Sequence, residues 1–384
     1  MIFKNLVFFL RSILVLLMLF SLNSCIEPYD SDFGQSSKIL VVEGLLTNNI
    51  QNPDTIKIRY SVFEDSYLAK RPIAGTQASI VSASGQETKL LSVGTQGGFL
   101  PPASFRINAS EKYTLKFQLG DGQSYESTPQ QIVPTPPILK VYDVFNPRGI
   151  VSEDGKTASA ANEVFVDFQD KANEKNFYLW RYTHYENLDF CITCEPNSLY
   201  KLPSESCVKN QFNFQRNPPY DYQCRGRCFE IFISKKPNIL SDAASDGRLV
   251  QGKSIAQIPY YAQTACLVVV EQMSISAEIY GINKILESQS SATGGLADTP
   301  VAAIVGNIRN LTNPENRVVG YFGLADIQTN RYWMERQNSS GQITYILGHR
   351  PDMEPTPPPP GLLPQAPCKK SETRTPIKPE GWKN

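Results

Sequence analysis

Histidine is nearly absent from this 384-residue chain: only His184 and His349 occur, far apart in sequence. That scarcity counts against a multi-histidine metal centre and against hydrolases that need a histidine base. Net charge is missing too, with 37 Lys and Arg against 37 Asp and Glu, so no global field draws the chain to nucleic acid. A long apolar run is the third absence. The run at residues 13–20 is far short of the roughly 20 residues that cross a bilayer, and nothing later is longer. Nor is there a phosphate-cradling glycine loop, a nucleophile elbow or a His-Glu zinc motif.

What the start does contain is Lys4, Arg11, that short apolar run, and then Ser21-Leu22-Asn23-Ser24-Cys25. A basic region, a short apolar core and small residues before a cysteine predict an export signal, residues 1–24, cleaved before Cys25. Leu22-Asn23-Ser24-Cys25 resembles the bacterial lipobox, which implies that the Cys25 thiol takes a diacylglycerol and that lipid anchors the mature chain. An ordinary secretory signal with a chance cysteine is the competing reading. Residues 25–37 read as a polar tether. Its acidic Glu27, Asp30 and Asp32 resemble the surface-export signal of Bacteroidota lipoproteins, or simply keep the tether solvated.

Seven further cysteines follow: Cys191, Cys194, Cys207, Cys224, Cys228, Cys266 and Cys368. Five crowd into residues 191–228, so whatever they constrain is local. In an oxidising compartment disulfides are expected. A zinc knot of Cys191-x-x-Cys194 with Cys224-x-x-x-Cys228 is the alternative, because both spacings suit ligand pairs. A redox role for Cys191-x-x-Cys194 is weaker, since no helix pattern begins there to lower a thiol pKa. Seven is odd, so at least one thiol is left outside any set of internal pairs, and spacing does not say which.

Along the mature chain, strand signals dominate. Residues 39–42 are apolar and β-branched; Ile56, Ile58 and Tyr60 alternate with polar residues; Tyr113, Leu115, Phe117 and Leu119 give the clearest period of two. Asp121-Gly122 marks a hairpin before Tyr125. These features predict a mainly β fold, opening with an antiparallel β-sandwich at residues 38–128. Residues 129–137, with four prolines, read as a linker or stiff crossover. A second β-rich domain is expected at 138–350, with strands around Val164, Val166 and Phe168, around Trp180 and at 267–270, and with the Cys-rich stretch 190–229 as an insertion. One or two helices are expected, the best where Ile275, Ile279, Ile282 and Leu286 share helical spacing and Ser274 or Ser276 can cap. Residues 351–384 read as a proline-rich, extended tail.

Val41-Val42-Glu43-Gly44, Asp121-Gly122 before Tyr125-Glu126-Ser127, Tyr178-Leu179-Trp180, Gly306-Asn307-Ile308 and Gly320-Tyr321-Phe322 follow in an order that resembles the domain-of-unknown-function 4249 family of Bacteroidota outer-membrane lipoproteins. Cys368 and Trp382 look like the family's ending, although a second cysteine common there is missing. The resemblance implies an Ig-like or transthyretin-like N-terminal sandwich and work beside a TonB-dependent outer-membrane receptor. It brings no catalytic residues.

The function expected is therefore a binding or accessory subunit of a TonB-dependent transporter system, lipid-anchored in the outer membrane and facing the cell exterior. The alternative is a structural or adhesive surface component. Phe212, Phe214, Tyr220 and Tyr222 in the insertion are the candidate ligand contacts, against the plainer reading that they pack under their own loop. No enzyme activity, cofactor or metal is expected. Asp167 with Asp170, or Asp30 with Asp32, could do acid-base or cation work, but solvated faces and turns explain them more readily.

Overall fold

The computed structural model describes residues 38–49, 53–64, 67–152, 155–209, 218–290, 306–355 and 362–383. Its contacts divide into two units. The smaller takes in residues 62–69, the end of one strand and the start of the next. The larger, residues 39–61 with those from 70 onward, carries everything described below. Among the described residues the protein is mainly β, with one α-helix and one short 3-10 turn.

In β1 (Ile39–Thr47) the pleat alternates side chains outward and inward, so Leu40, Val42 and Leu46 face the core. β1 pairs antiparallel with β2 (Ile56–Glu64), Val42 opposite Ile58. A second sheet packs across from them, built on β3 (Gln77–Ser82), β4 (Lys112–Gln118) and β5 (Ser124–Ser127). Its Ile80, Leu115 and Phe117 share one core with Leu40, Val42 and Ile58. Each such buried aliphatic contributes about 1.5–3 kcal/mol. The expected turn at Asp121-Gly122 is present: Gly122 has φ 88°, a region glycine enters without penalty, and its N–H reaches Leu119 O at 2.9 Å.

The proline-rich stretch 129–137 is fastened to the sheet. Thr135 is buried; its N–H donates to the Asp326 carboxylate at 2.7 Å and its hydroxyl accepts from Ser274 N at 2.7 Å. Beyond it β6 (Ile138–Val151) and β7 (Ala158–Gln169) pair, and β8 (Phe177–Asn187) leads into the insertion. There the short strands β9 (Phe190–Cys194), β10 (Ser198–Lys201), β11 (Ser206–Lys209) and β12 (Tyr220–Arg225) lie. β13 (Phe229–Ile233), β14 (Leu249–Pro259) and β15 (Cys266–Ser274) follow. β6, β7 and β14 form a three-stranded sheet whose Val164, Val166, Phe168 and Ile258 pack on Tyr178, Trp180, Val268 and Val270 of β8 and β15.

α1 (Ala277–Ser290) is the expected helix. Ser276, rather than Ser274, caps it: its Oγ accepts from Ile279 N at 3.3 Å. Ile279 and Ile282 are buried, and Ile279 shares a small core with Met273 and Ala325. The apolar stripe is packing.

Two late strands, β16 (Ile308–Asn310) and β17 (Val318–Met334), cross the boundary drawn at residue 128. β16 pairs with β5, Ile308 opposite Ser127. The first half of β17 runs parallel to β1, from Leu40 opposite Val318 to Thr47 opposite Ala325, and its second half pairs antiparallel with β15. Residues 38–128 therefore do not close the sandwich alone. β13, β8, β15, β17, β1 and β2 lie in one continuous sheet.

Three motifs of the resemblance meet at this seam. A Cβ on Gly320, where φ is 102°, would overlap the Val42 carbonyl, and one on Gly306 would overlap the Gly320 carbonyl. The buried Asn307 side chain acts as a piece of strand: Nδ2 donates to Phe322 O at 2.7 Å and Oδ1 accepts from Phe322 N at 2.9 Å. Gly44 leaves room for Ile56 and Phe322. Close backbone approach explains Gly306 and Gly320, and tight packing against side chains explains Gly44.

Candidate functional site

The insertion is tied by three disulfides: Cys191–Cys224, Cys194–Cys207 and Cys228–Cys368. Cys191 and Cys194 are thus not each other's partners, and the distant Cys368 is drawn in. Among the described residues, Cys266 is the free thiol. β9 pairs with β12, and β10 with β11. Tyr200, Tyr220, Tyr222, Cys194 and Ala366 form a small core of their own.

Tyr220 and Tyr222, offered by the sequence as ligand contacts, are therefore turned inward. They sit two apart on one face of β12, and both faces of the strand are covered there, leaving Tyr222 only 2% exposed. Phe212 and Phe214 lie outside the described residues, as does Cys25.

The tail is no free extension. Asp221, fully buried on β12, accepts from Thr193 Oγ1 at 2.6 Å and Asp352 N at 2.9 Å, with His349 Nε2 at 3.1 Å. The Tyr222 hydroxyl donates to Glu354 at 2.7 Å, and burial together with that carboxylate raises its pKa. Two short strands, β18 (Ala366–Pro367) and β19 (Arg374–Thr375), pair with β12 and β13. Arg374 bonds Glu230 at 2.6 Å and the Cys191 carbonyl at 3.0 Å. The Trp382 ring meets Phe229 at 4.7 Å and Trp333 at 5.0 Å, edge to face. Sequence reasoning missed this docking because prolines mask the pairing; Cys368 was its one visible signal.

Insertion and tail together enclose an open concavity of about 860 Å³. Tyr200 and Tyr222 line it alongside Leu202, Met353 and Leu362, which are largely exposed, and the polar Lys201, Gln223, Arg225 and Gln365. The Tyr200 hydroxyl is buried without a hydrogen-bond partner, and its pKa is raised, by burial first and then by Glu205. An orphaned buried hydroxyl is costly, and this one lies under the wall of the hollow with almost no accessible surface.

Two other polar clusters have structural explanations. Asp167 accepts from Gly252 N at 2.8 Å; Asp170, buried, accepts from the Tyr178 hydroxyl at 2.5 Å and Gly247 N at 3.2 Å. Asp242 and Asp246 stand close to Asp170 and accept from Asn176 N and Asn173 N, so these carboxylates pin loops. The second cluster, His184, Glu186, Cys266 and Arg336, is a buried polar knot. Arg336 grips Glu186 through both guanidinium ends, at 2.5 and 3.0 Å. His184 stacks on Phe232 at 4.5 Å, and burial, with Arg336, lowers its pKa to about 3. Burial holds the Cys266 thiol well above its ordinary value, so it stays protonated and a poor nucleophile.

No curated protein matches the chain. The sequence model of the domain of unknown function DUF4249 matches residues 26–331, ending inside β17 and short of the docked tail. Covering well over half the sequence, that match places the chain in the DUF4249 family.

Proposed function

We propose that this protein is an exported binding module, lipid-anchored through Cys25 to the outer membrane, that serves as an accessory subunit of a TonB-dependent transporter. The observation that carries the reading is the braced concavity: three disulfides fix the insertion and the tail around an open, apolar-rimmed hollow. Disulfide bracing suits an oxidising compartment. A hollow fixed in advance loses little entropy on ligand capture, which suits holding rather than transforming. The lipobox resemblance supplies the membrane address.

Two measurements test the proposal. Cys25→Ala should move the protein from the membrane to the soluble fraction; a variant that stays membrane-bound sinks the lipid anchor. A tagged wild-type chain should co-purify with a large outer-membrane β-barrel. A clean pull-down without one overturns the transporter role and leaves the adhesive reading.

A further inference from the structure

His349 stands at the surface with 42% of its side chain exposed, and the Asp221 carboxylate it meets is wholly buried. Its ring lies between acceptors on both sides. Nε2 faces the two carboxylate oxygens of Asp221 at 3.1 and 3.3 Å, and Nδ1 faces the Leu347 carbonyl at 3.2 Å. An ionised carboxylate and a carbonyl accept hydrogen bonds and have no hydrogen to give. A neutral imidazole carries one N–H, so either tautomer turns a nitrogen lone pair toward an oxygen. The imidazolium carries two and satisfies both sides. Its charge also strengthens the bond to the carboxylate.

The ring fastens the segment that walls the hollow. Upstream, Thr344 N donates to Tyr260 O at 2.7 Å, just past the end of β14. Downstream, Asp352 N donates to Asp221 Oδ2 at 2.9 Å, and Asp352 O accepts from Asp221 N at 2.7 Å. Met353 and Glu354 come next and line the hollow, Glu354 holding the Tyr222 hydroxyl. Asp221 is the hub of this fastening, with Thr193 Oγ1 of β9 as a further donor. A buried carboxylate that loses a donor is destabilised. The charged groups about the ring are Asp221 from β12 and, on its own segment, Arg350, Asp352 and Glu354; β9 contributes the uncharged Thr193.

We propose that residues 344–354 form a pH-sensitive strap across the hollow, fastened while His349 is an imidazolium and loosened when its ring is neutral. Loss of one ring proton either leaves Asp221 short of a donor or turns Nδ1 against the Leu347 carbonyl. Asp352, Met353 and Glu354 then part from β12 more readily. Histidine changes charge between about pH 5 and 8. A contact made by the protonated ring is complete at the acid end of that range and is lost toward the alkaline end. The hollow is thus closed in mild acid and opens as pH rises. His184 acts in the opposite sense, since burial there disfavours the charged ring. The strap rests on the contacts of Asp221 and not on what the hollow holds, so it is tested without a ligand.

The test is amide hydrogen exchange in the full mature chain, read at Asp221 and Asp352. Wild type and variants are compared at equal pH, which cancels the intrinsic exchange rate. At about pH 5.5 these amides should exchange about two- to fivefold more slowly in wild type than in His349→Gln, the range of an ion pair with one exposed partner. At about pH 8 the two proteins should exchange alike. His349→Lys keeps a positive donor that does not titrate in this range, so it should stay protected at both pH values. Should His349→Gln fail to fold, wild type against His349→Lys gives the same reading: equal protection in acid, and about two- to fivefold more in the lysine variant at pH 8. A wild-type advantage that is absent in acid or persists unchanged at pH 8 overturns the proposal. A lysine variant that loses protection between the two pH values as wild type does overturns it too.

Discussion

At the scale of single residues, the buried polar knot sets the acid response. His184 is neutral in the fold, with a pKa near 3, and unfolded it would titrate near its ordinary 6.5. Between those values the unfolded chain binds a proton that the folded chain refuses. The stability contributed is therefore complete above about pH 6.5 and is lost as pH falls toward 3, by up to about 4 kcal/mol. His184→Phe keeps the stack on Phe232 and should flatten that loss in denaturant titrations at pH 7 and pH 4.5; equal slopes for variant and wild type would refute the assignment. Glu186, whose pKa burial raises against the pull of Arg336, acts with opposite sign but is common to both proteins. Arg336→Met strands the Glu186 carboxylate and should cost about 3–5 kcal/mol, read as a shift in urea midpoint. Little of this knot was legible in the sequence: His184 and Glu186 sit on a strand among aromatics, and the arginine that pairs with Glu186 arrives 150 residues later.

Among elements, legibility followed range. The period-two run in β4, its glycine turn and the helical spacing of α1 are local patterns, and all three stand where the sequence put them. The pairing of β17 with β1 is not local, and its signature was three short glycine-bearing motifs whose shared cause is visible only when their backbones touch. Gly320→Ala should abolish soluble expression or lower the melting temperature sharply, because the added methyl meets the Val42 carbonyl in a sheet centre that cannot yield. The tail was misread for the opposite reason: its composition says extended, and its anchors are a distant disulfide, an arginine and a tryptophan. Opening the Cys228–Cys368 loop with a double serine substitution should cost about 2–5 kcal/mol without unfolding the protein, since the strands and Trp382 still dock. At the candidate site, cysteine crowding correctly pointed to a disulfide-tied insertion, while the inward turn of Tyr220 and Tyr222 needed the cover from Ala366 and the tail.

For the whole molecule, one sheet runs through what the sequence divides into a sandwich and a second domain. Because β17 belongs to both halves, they should unfold together. A fragment of residues 38–128 should be unfolded by circular dichroism, and the intact chain should give a single calorimetric transition; a folded fragment would contradict the shared strand.

The parallel register of β1 on β17 also fixes an order of events. β1 finds β2 soon after it emerges during synthesis or translocation, but its parallel neighbour, which sets Val318 opposite Leu40, comes only near the end of the chain. Until then an apolar strand waits with one edge unpaired, the condition in which chains aggregate. Closure of this sheet therefore comes late, and the yield depends on whatever shields the open edge of β1 in the interval.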